Sequence, residues 1–209
     1  VNNSQVKAVL KQYSFKSSSG KLVAEKVSLE HPEVIKKPLE GAFEIKLEKR
    51  AKGEPSTFPR FKSYHNDADF VLALENYEFT GGYTLVGQKI TTSSIFDRYS
   101  RLLANKGSKT NEFEVIGQSI TVTDTLISSD MVSFVARFGV DSVSHPAIRL
   151  AFDVKNQHVQ LNKVQRGGFR QSMFSDTFHQ VDIRCDAMSW DLKSGKMDFY
   201  IVAAKQEVA

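Results

Sequence analysis

The sequence has few of the residues that form disulfides, metal sites and rigid turns. Its 209 residues include one cysteine, Cys185, one tryptophan, Trp190, and five prolines. A single cysteine excludes an intrachain disulfide and a zinc site made of cysteines. Alternation places Cys185 on one strand face with Val181 and Ile183, and cysteine is among the most buried residue types. We therefore expect an inert buried thiol rather than a nucleophile.

Long apolar runs and a strong charge bias are also missing. No run approaches the ~18 residues that mark a membrane-spanning helix, so we expect none. The formal net charge is only +4. A nucleic-acid-binding surface needs a concentrated stripe of lysine and arginine, so we expect no nucleic-acid partner. The length allows one substantial core or two small ones.

Strand signals dominate what is present. Short segments rich in β-branched or aromatic residues alternate apolar with polar, and Gly, Pro, Asn and Ser turns separate them every eight to twelve residues. The pattern predicts an all-β fold. We divide it into an N-terminal strand-rich segment, 1–62, and a main β-rich body, 63–209, continuous with it.

A weak internal similarity bears on the arrangement of the strands. "LVAEKVSL" (22–29), "LVGQKITT" (85–92) and "VIGQSITV" (115–122) each place Ala24, Gly87 or Gly117 where a strand would bend, bulge or approach another backbone. Recurring bent strands favour a β-solenoid-like stack or a long curved sheet. A β-sandwich or jelly roll is the alternative.

Helix is expected in at most one or two short segments. Residues 38–52 have Pro38 at a first helical position and Gly53 after the last cations, yet Phe43, Ile45 and Leu47 alternate as in a strand. Residues 94–107 are equally ambiguous, with a capping pattern at Ser94.

The glycine-rich string "NYEFTGGYTLVGQKI" (76–90) does not fit a nucleotide-binding loop. Such a loop follows a strand and opens a helix, whereas Gly81 and Gly82 precede a strand. We interpret these glycines as a turn and a sheet corner, and we expect no cofactor.

Two segments carry clustered carboxylates. Asp67 and Asp69 in "SYHNDADF" (63–70) would share one strand face and could hold a hard cation or act as acid and base, but a solvated turn is the simpler interpretation. Asp182 and Asp186 in "HQVDIRCD" (179–186) would lie on the polar face of one strand, as cross-strand charge partners rather than a catalytic pair.

Other candidate groups are weaker. Five scattered histidines make no short metal-ligand spacing, and His31 and His145 each precede proline, as in strand-ending turns. Trp190 could present a glycan platform, although core packing fits its alternation better. One last group, basic residues interleaved with aromatics, is expected to be a solvated face: Lys46, Lys49, Arg50, Lys52, Arg60 and Lys62, with Phe58, Phe61 and Tyr64.

Several strings together resemble a family of very large β-rich cell-envelope proteins of Bacteroidetes-type bacteria. They are "GKLVAEKVSLEHPEVIKKPLEGAFEIKLEKR", "TFPRFKSY", "NYEFTGGYTLVGQKI", "FVARFGVDSVSHPAIRLAFD" and "GGFRQSMFSDTFHQVDIRCDAMSWDLKSGKMDF". The segment "TTSSIFDRYSRLLANKG" departs from the pattern. The resemblance implies a piece of a much longer exported protein, periplasmic or surface-exposed, accompanied by other domains. It supplies no catalytic residues.

These observations favour a non-enzymatic structural or binding module. Its partner would be an envelope lipid, glycan or protein. The alternative is a glycan-active enzyme or a carbohydrate-binding module on a β-scaffold. Two carboxylates converging in a cleft would favour the enzyme, exposed coplanar aromatics the glycan binder, and a dry open groove a lipid. No catalytic residue, cofactor or metal is assigned, and no GxSxG or HExxH string occurs.

Overall fold

The computed structural model describes residues 6–49, 51–72, 74–123, 125–164, 169 and 171–202. The all-β prediction is confirmed: strands hold 52% of the residues, and no helix in the described part reaches seven residues. The strands are β1 Lys7–Val9, β2 Ser14–Lys16, β3 Lys21–Glu30, β4 Leu39–Lys46, β5 Arg60–Ser63, β6 Glu78–Thr80, β7 Thr84–Val86, β8 Lys89–Thr91, β9 Ser100–Ala104, β10 Glu112–Gly117, β11 Thr121–Val122, β12 Leu126–Phe138, β13 Asp141–Asp153, β14 His158–Lys163, β15 Phe174–Asp176, β16 Val181–Ile183, β17 Ala187–Asp191 and β18 Met197–Tyr200. A 3₁₀ turn, Ser17–Ser19, precedes β3.

The chain forms two compact units. Unit 1 comprises 1–73, 78–102 and 117–124, and unit 2 comprises 74–77, 103–116 and 125–209. The sheet is antiparallel throughout. The described strands form one large sheet that is not closed into a barrel, and nothing in it shows the β-solenoid-like stack.

Unit 1 is a meander with one buried face. Its strands pair in the order β3–β4–β5–β7–β8–β11, and β1 and β2 share the other edge of β3. The buried face follows the alternation of the strands: Val27 and Leu29 on β3, Phe61 on β5 and Leu85 on β7 are at most 1% exposed. The segment after β5 covers this face through Phe70.

The two candidate helices are strands or turns. Residues 38–52 form β4 over Leu39–Lys46 instead of a helix, because the alternation of Phe43 and Ile45 gains a partner strand on each side. In 94–107, Ser94 does make the capping bond, its Oγ accepting from the N–H of Asp97 at 3.2 Å. The chain then enters β9 rather than a helix.

Unit 2 is built on the long hairpin of β12 and β13, extended by β14, β17 and β18 on one side. Hairpin β15–β16 pairs with the remaining part of β13. Trp190 lies at the centre of its core, fully buried, with ring centroids of Phe113 and Phe138 at 6.0 and 5.6 Å. Core packing of Trp190 is thus the observed arrangement.

Two bulges in this hairpin compensate each other. Between Ser129 and Val132, β12 carries one residue more than β13; between His145 and Ile148, β13 carries one more than β12. Pro146 lies in the second bulge, where the ladder does not need its missing N–H. His145 therefore lies inside a strand, and the expectation of a strand-ending turn there is wrong. The same expectation fits His31, which directly follows β3.

The three similar segments adopt different local structures. Residues 22–29 are a bulged strand, in which Glu25 and Lys26 follow Ala24. Residues 85–92 span the two-residue hairpin turn of β7 and β8, with Gly87 at a φ of 61°. Residues 115–122 include the end of β10 and the whole of β11. The sequence similarity of the three segments therefore marks bends and turns of the strands, not equivalent positions in a repeated structure.

Candidate functional site

A groove on the polar face of unit 1 is the candidate functional site. It has a volume of about 710 Å³. Strands β3 and β4 contribute to it, together with the segment that follows β5 and the loop before β9. We call it the aromatic groove and define it by seven of its lining residues: Glu25, Lys26, Glu40, Tyr64, His65, Asp67 and Phe96.

A β-bulge places two of these residues in the groove. Glu25 and Lys26 interrupt the pairing of β3 with β4, and Lys26 has a φ of 54°. Both side chains consequently face solvent instead of alternating. The Lys26 N–H, released from the ladder, donates to the Tyr64 hydroxyl oxygen at 3.0 Å. That bond ties the phenol to the bulge.

Three rings meet beside the bulge. Tyr64 and Phe96 are stacked, with centroids 5.5 Å apart and planes 15° from parallel. His65 packs on Phe96 with centroids 5.3 Å apart. The Phe96 residue is nevertheless 65% exposed. A large apolar ring that is held in place and yet left open to solvent offers a flat contact surface at little cost in side-chain entropy.

The loop that carries Phe96 is fixed by its backbone. The Phe96 N–H donates to the Tyr64 carbonyl at 3.0 Å. Asp97 Oδ2 accepts from the Asn66 N–H at 2.7 Å and lies 3.4 Å from His65 Nδ1. The Asn66 side-chain amide donates to the Tyr99 carbonyl at 2.7 Å. These bonds give the groove a preorganised rim.

The carboxylates of 63–70 have separate roles. Asp67 and Asp69 both point away from the core, since Ala68 and Phe70 are 4% and 1% exposed. Asp67 lines the aromatic groove, whereas Asp69 accepts from Lys36 Nζ at 2.9 Å. Within the described ranges, no group of three His, Cys, Asp or Glu side chains could hold a metal ion.

The carboxylates of 179–186 belong to unit 2 and do not share a strand. Residues 177–180 form the turn between β15 and β16, and the chain leaves β16 after Ile183. Asp182 therefore lies on β16 opposite Ser175. Asp186 Oδ2 accepts from the Val202 N–H at 3.0 Å. The prediction of one continuous strand is wrong here, because a four-residue turn and a break after β16 interrupt it.

The turn before β16 is organised by Asp176 instead. This residue is only 9% exposed. Its carboxylate accepts from the Phe178 N–H at 3.0 Å and lies 2.7 Å from His179 Nδ1. The hydrogen bond from the His179 side chain, together with the backbone donors, lowers the pKa of Asp176. The arrangement stabilises a hairpin and leaves no open site.

Cys185 and the basic group lack a functional geometry. The Cys185 thiol is 6% exposed, and burial raises its pKa, which makes it a poor nucleophile. In the basic group, Arg60 lies 4.5 Å above the Phe58 ring and donates to the Thr57 carbonyl. Phe61 is 1% exposed and belongs to the core. Arg50 lies outside the described residues.

The sequence pointed to only part of the aromatic groove. The sequence assigns Tyr64 to the basic and aromatic group and Asp67 to the carboxylate cluster, and it places Phe96 in a candidate helix. The available signal was an aromatic residue inside the short polar string "SSIFDRYS". Glu25 and Glu40 gave no signal, because their convergence depends on the bulge and on the pairing of β3 with β4.

Comparisons with known proteins give no family. No family model matches the chain, and neither a curated protein nor a solved structure matches it. None of the helices that the structure describes has the length and apolarity to cross a membrane.

Proposed function

We propose that this chain is a non-enzymatic binding module whose aromatic groove takes a neutral glycan. The exposed Phe96 ring, fixed on Tyr64 beside Asp67, Glu25 and Glu40, carries the proposal. Sugar rings have apolar C–H faces that pack on an aromatic plane and hydroxyls that donate to carboxylates. The groove combines both kinds of surface in one place.

The lining disfavours the other ligand classes. A lipid needs a dry apolar groove, whereas Glu25, Glu40 and Asp67 line this one. Three carboxylates repel an acidic polymer, and only Lys26 among the defining residues is a permanent cation. Asp69 and Asp186 are engaged by Lys36 and by the chain after β18. Because Glu25, Glu40 and Asp67 line the groove together, a glycan-active enzyme at this site is the alternative function.

The proposed setting is the cell envelope. The resemblance to very large β-rich envelope proteins supports a module of a longer exported chain, periplasmic or surface-exposed. In that setting the module would bind an envelope glycan and act as a scaffold or adaptor. Its neighbours would be other domains of the same parent chain.

The test is titration calorimetry against a panel of neutral oligosaccharides of glucose, mannose, galactose and N-acetylglucosamine. We expect at least one series to bind, and Phe96→Ala to weaken it by about tenfold or more, since a tenfold loss corresponds to about 1.4 kcal/mol of stacking. Phe178→Ala is the matched control, because that ring is 69% exposed but lies in unit 2.

Three results would contradict the proposal. They are no binding by any member of the panel, equal losses from Phe96→Ala and Phe178→Ala, and cleavage of a bound glycan. Cleavage that disappears in Asp67→Asn would replace the binding module with an enzyme at the same groove.

A further inference from the structure

A second groove adjoins the aromatic groove on the same face of unit 1. It also has a volume of about 710 Å³. We call it the edge groove and define it by Lys11, Tyr13, Ser14, Val23, Glu25 and Lys26. Glu25 and Lys26 line both grooves. Both grooves therefore border the bulge of β3.

The strand order fixes the direction of the combined feature. Ser14 on β2 pairs with Val23 on β3, and Val23 pairs with Glu44 on β4. The Tyr64 N–H, just beyond β5, donates to the Glu40 carbonyl. A path from Ser14 to Tyr64 thus crosses four adjacent strands. The path also moves four residues along β4, from Glu44 to Glu40, so with strands about 4.8 Å apart and about 3.3 Å per residue it runs diagonally over about 20 Å.

Each end of this path has an exposed ring. Tyr13 is 67% exposed at the edge groove, and Phe96 is 65% exposed at the aromatic groove. The bulge between them presents Glu25 and Lys26, which offer an acceptor and a donor to the middle of a ligand. A single sugar ring can contact only one of the two aromatic side chains over such a distance.

We infer that the two grooves form one binding track for an extended chain of several neutral sugar units, with Tyr13 as a second aromatic contact. The track runs diagonally over strands β2 to β5. This inference rests on the proposed function, because it assigns the length of the ligand and a further contact residue to the same site.

The experiment measures affinity against ligand length on the intact chain. The oligosaccharide series that binds is titrated from the monosaccharide to the hexasaccharide. We expect at least a tenfold rise in affinity from the disaccharide to the longest member. Tyr13→Ala removes that rise and leaves the affinity for the disaccharide unchanged. Phe15→Ala is the matched control: it is 60% exposed on the adjacent strand β2 and does not line either groove.

The outcomes separate this inference from the proposed function. If Phe96→Ala weakens binding but affinity is independent of ligand length, the extended track is wrong and the glycan module stands. Equal losses from Tyr13→Ala for short and long ligands also overturn the track. If no sugar binds, the proposed function fails and the track fails with it.

Discussion

At the residue scale, two buried histidines show how much local structure the dipeptide His-Pro can predict. Both precede proline, and both are 1% exposed. His31 follows β3, and its Nδ1 lies 2.7 Å from the Tyr83 hydroxyl. His145 lies within β13, and its Nδ1 accepts from the Ala147 N–H at 3.2 Å. The sequence could place both at bends, but whether the bend ends the strand depends on the partner strand, which it does not reveal.

Acid is expected to destabilise the chain through His145. Burial, aided by the charge of Lys163, lowers the pKa of His145 to about 4, whereas an unfolded histidine titrates near 6.5. The unfolded state therefore binds the proton first. The stabilising contribution is complete above about pH 6.5 and is lost as the pH falls toward 4, on the order of 3 kcal/mol in all.

Urea unfolding between pH 7.5 and 4.5 measures this loss. His145→Gln should flatten the dependence of the unfolding free energy on pH. An unaltered slope in His145→Gln would contradict the assignment.

At the element scale, the β7–β8 hairpin shows why one glycine cannot be replaced. Gly87 takes the first position of a two-residue turn with a φ of 61°, and a Cβ there would lie well inside contact distance of the Ser56 carbonyl oxygen. Sequence alone indicated a strand corner near Gly87. It could not show the approach of Ser56, since that residue is brought in by a distant segment.

Gly87→Ala is therefore expected to lower the unfolding free energy by on the order of 3 kcal/mol or more, because the Ser56 backbone must move. Gly139→Ala is the matched control. Gly139 has a φ of 67° in the turn of the β12–β13 hairpin, with open space around it. The control should lose only about 1 kcal/mol of backbone strain. Equal losses in denaturant titrations would show that conformation, not the close approach, decides.

At the scale of the whole molecule, the fold class could be predicted and the site could not. Alternation and turn residues recur throughout the chain, so an all-β assignment draws on many independent signals. The aromatic groove depends on one bulge, one strand pairing and one loop, which bring Glu25, Glu40, Tyr64 and Phe96 together from distant positions. No local sequence pattern predicts that these four residues lie close together.

The charge distribution of the whole chain makes one more prediction. The net charge is +4, yet carboxylates outnumber lysine in the aromatic groove. Binding of a neutral glycan there should not depend on ionic attraction. We expect less than about a twofold change in affinity between 20 and 500 mM NaCl, because screening weakens only charge–charge terms. A steep decrease with salt would indicate a charged ligand.

The bulges of β12 and β13 determine which insertions and deletions the hairpin tolerates. Each strand carries one surplus residue, and the register is the same on either side of the pair. A chain that lost both surplus residues would keep every inward side chain at Ile127, Phe134 and Phe152 facing inward. A chain that lost only one would lose only the bulge in that strand, because the pairs on either side of each bulge would stay the same. Either strand could therefore gain or lose its surplus residue without a matching change in the other, since the pair of Val132 with Ile148 separates the two bulges.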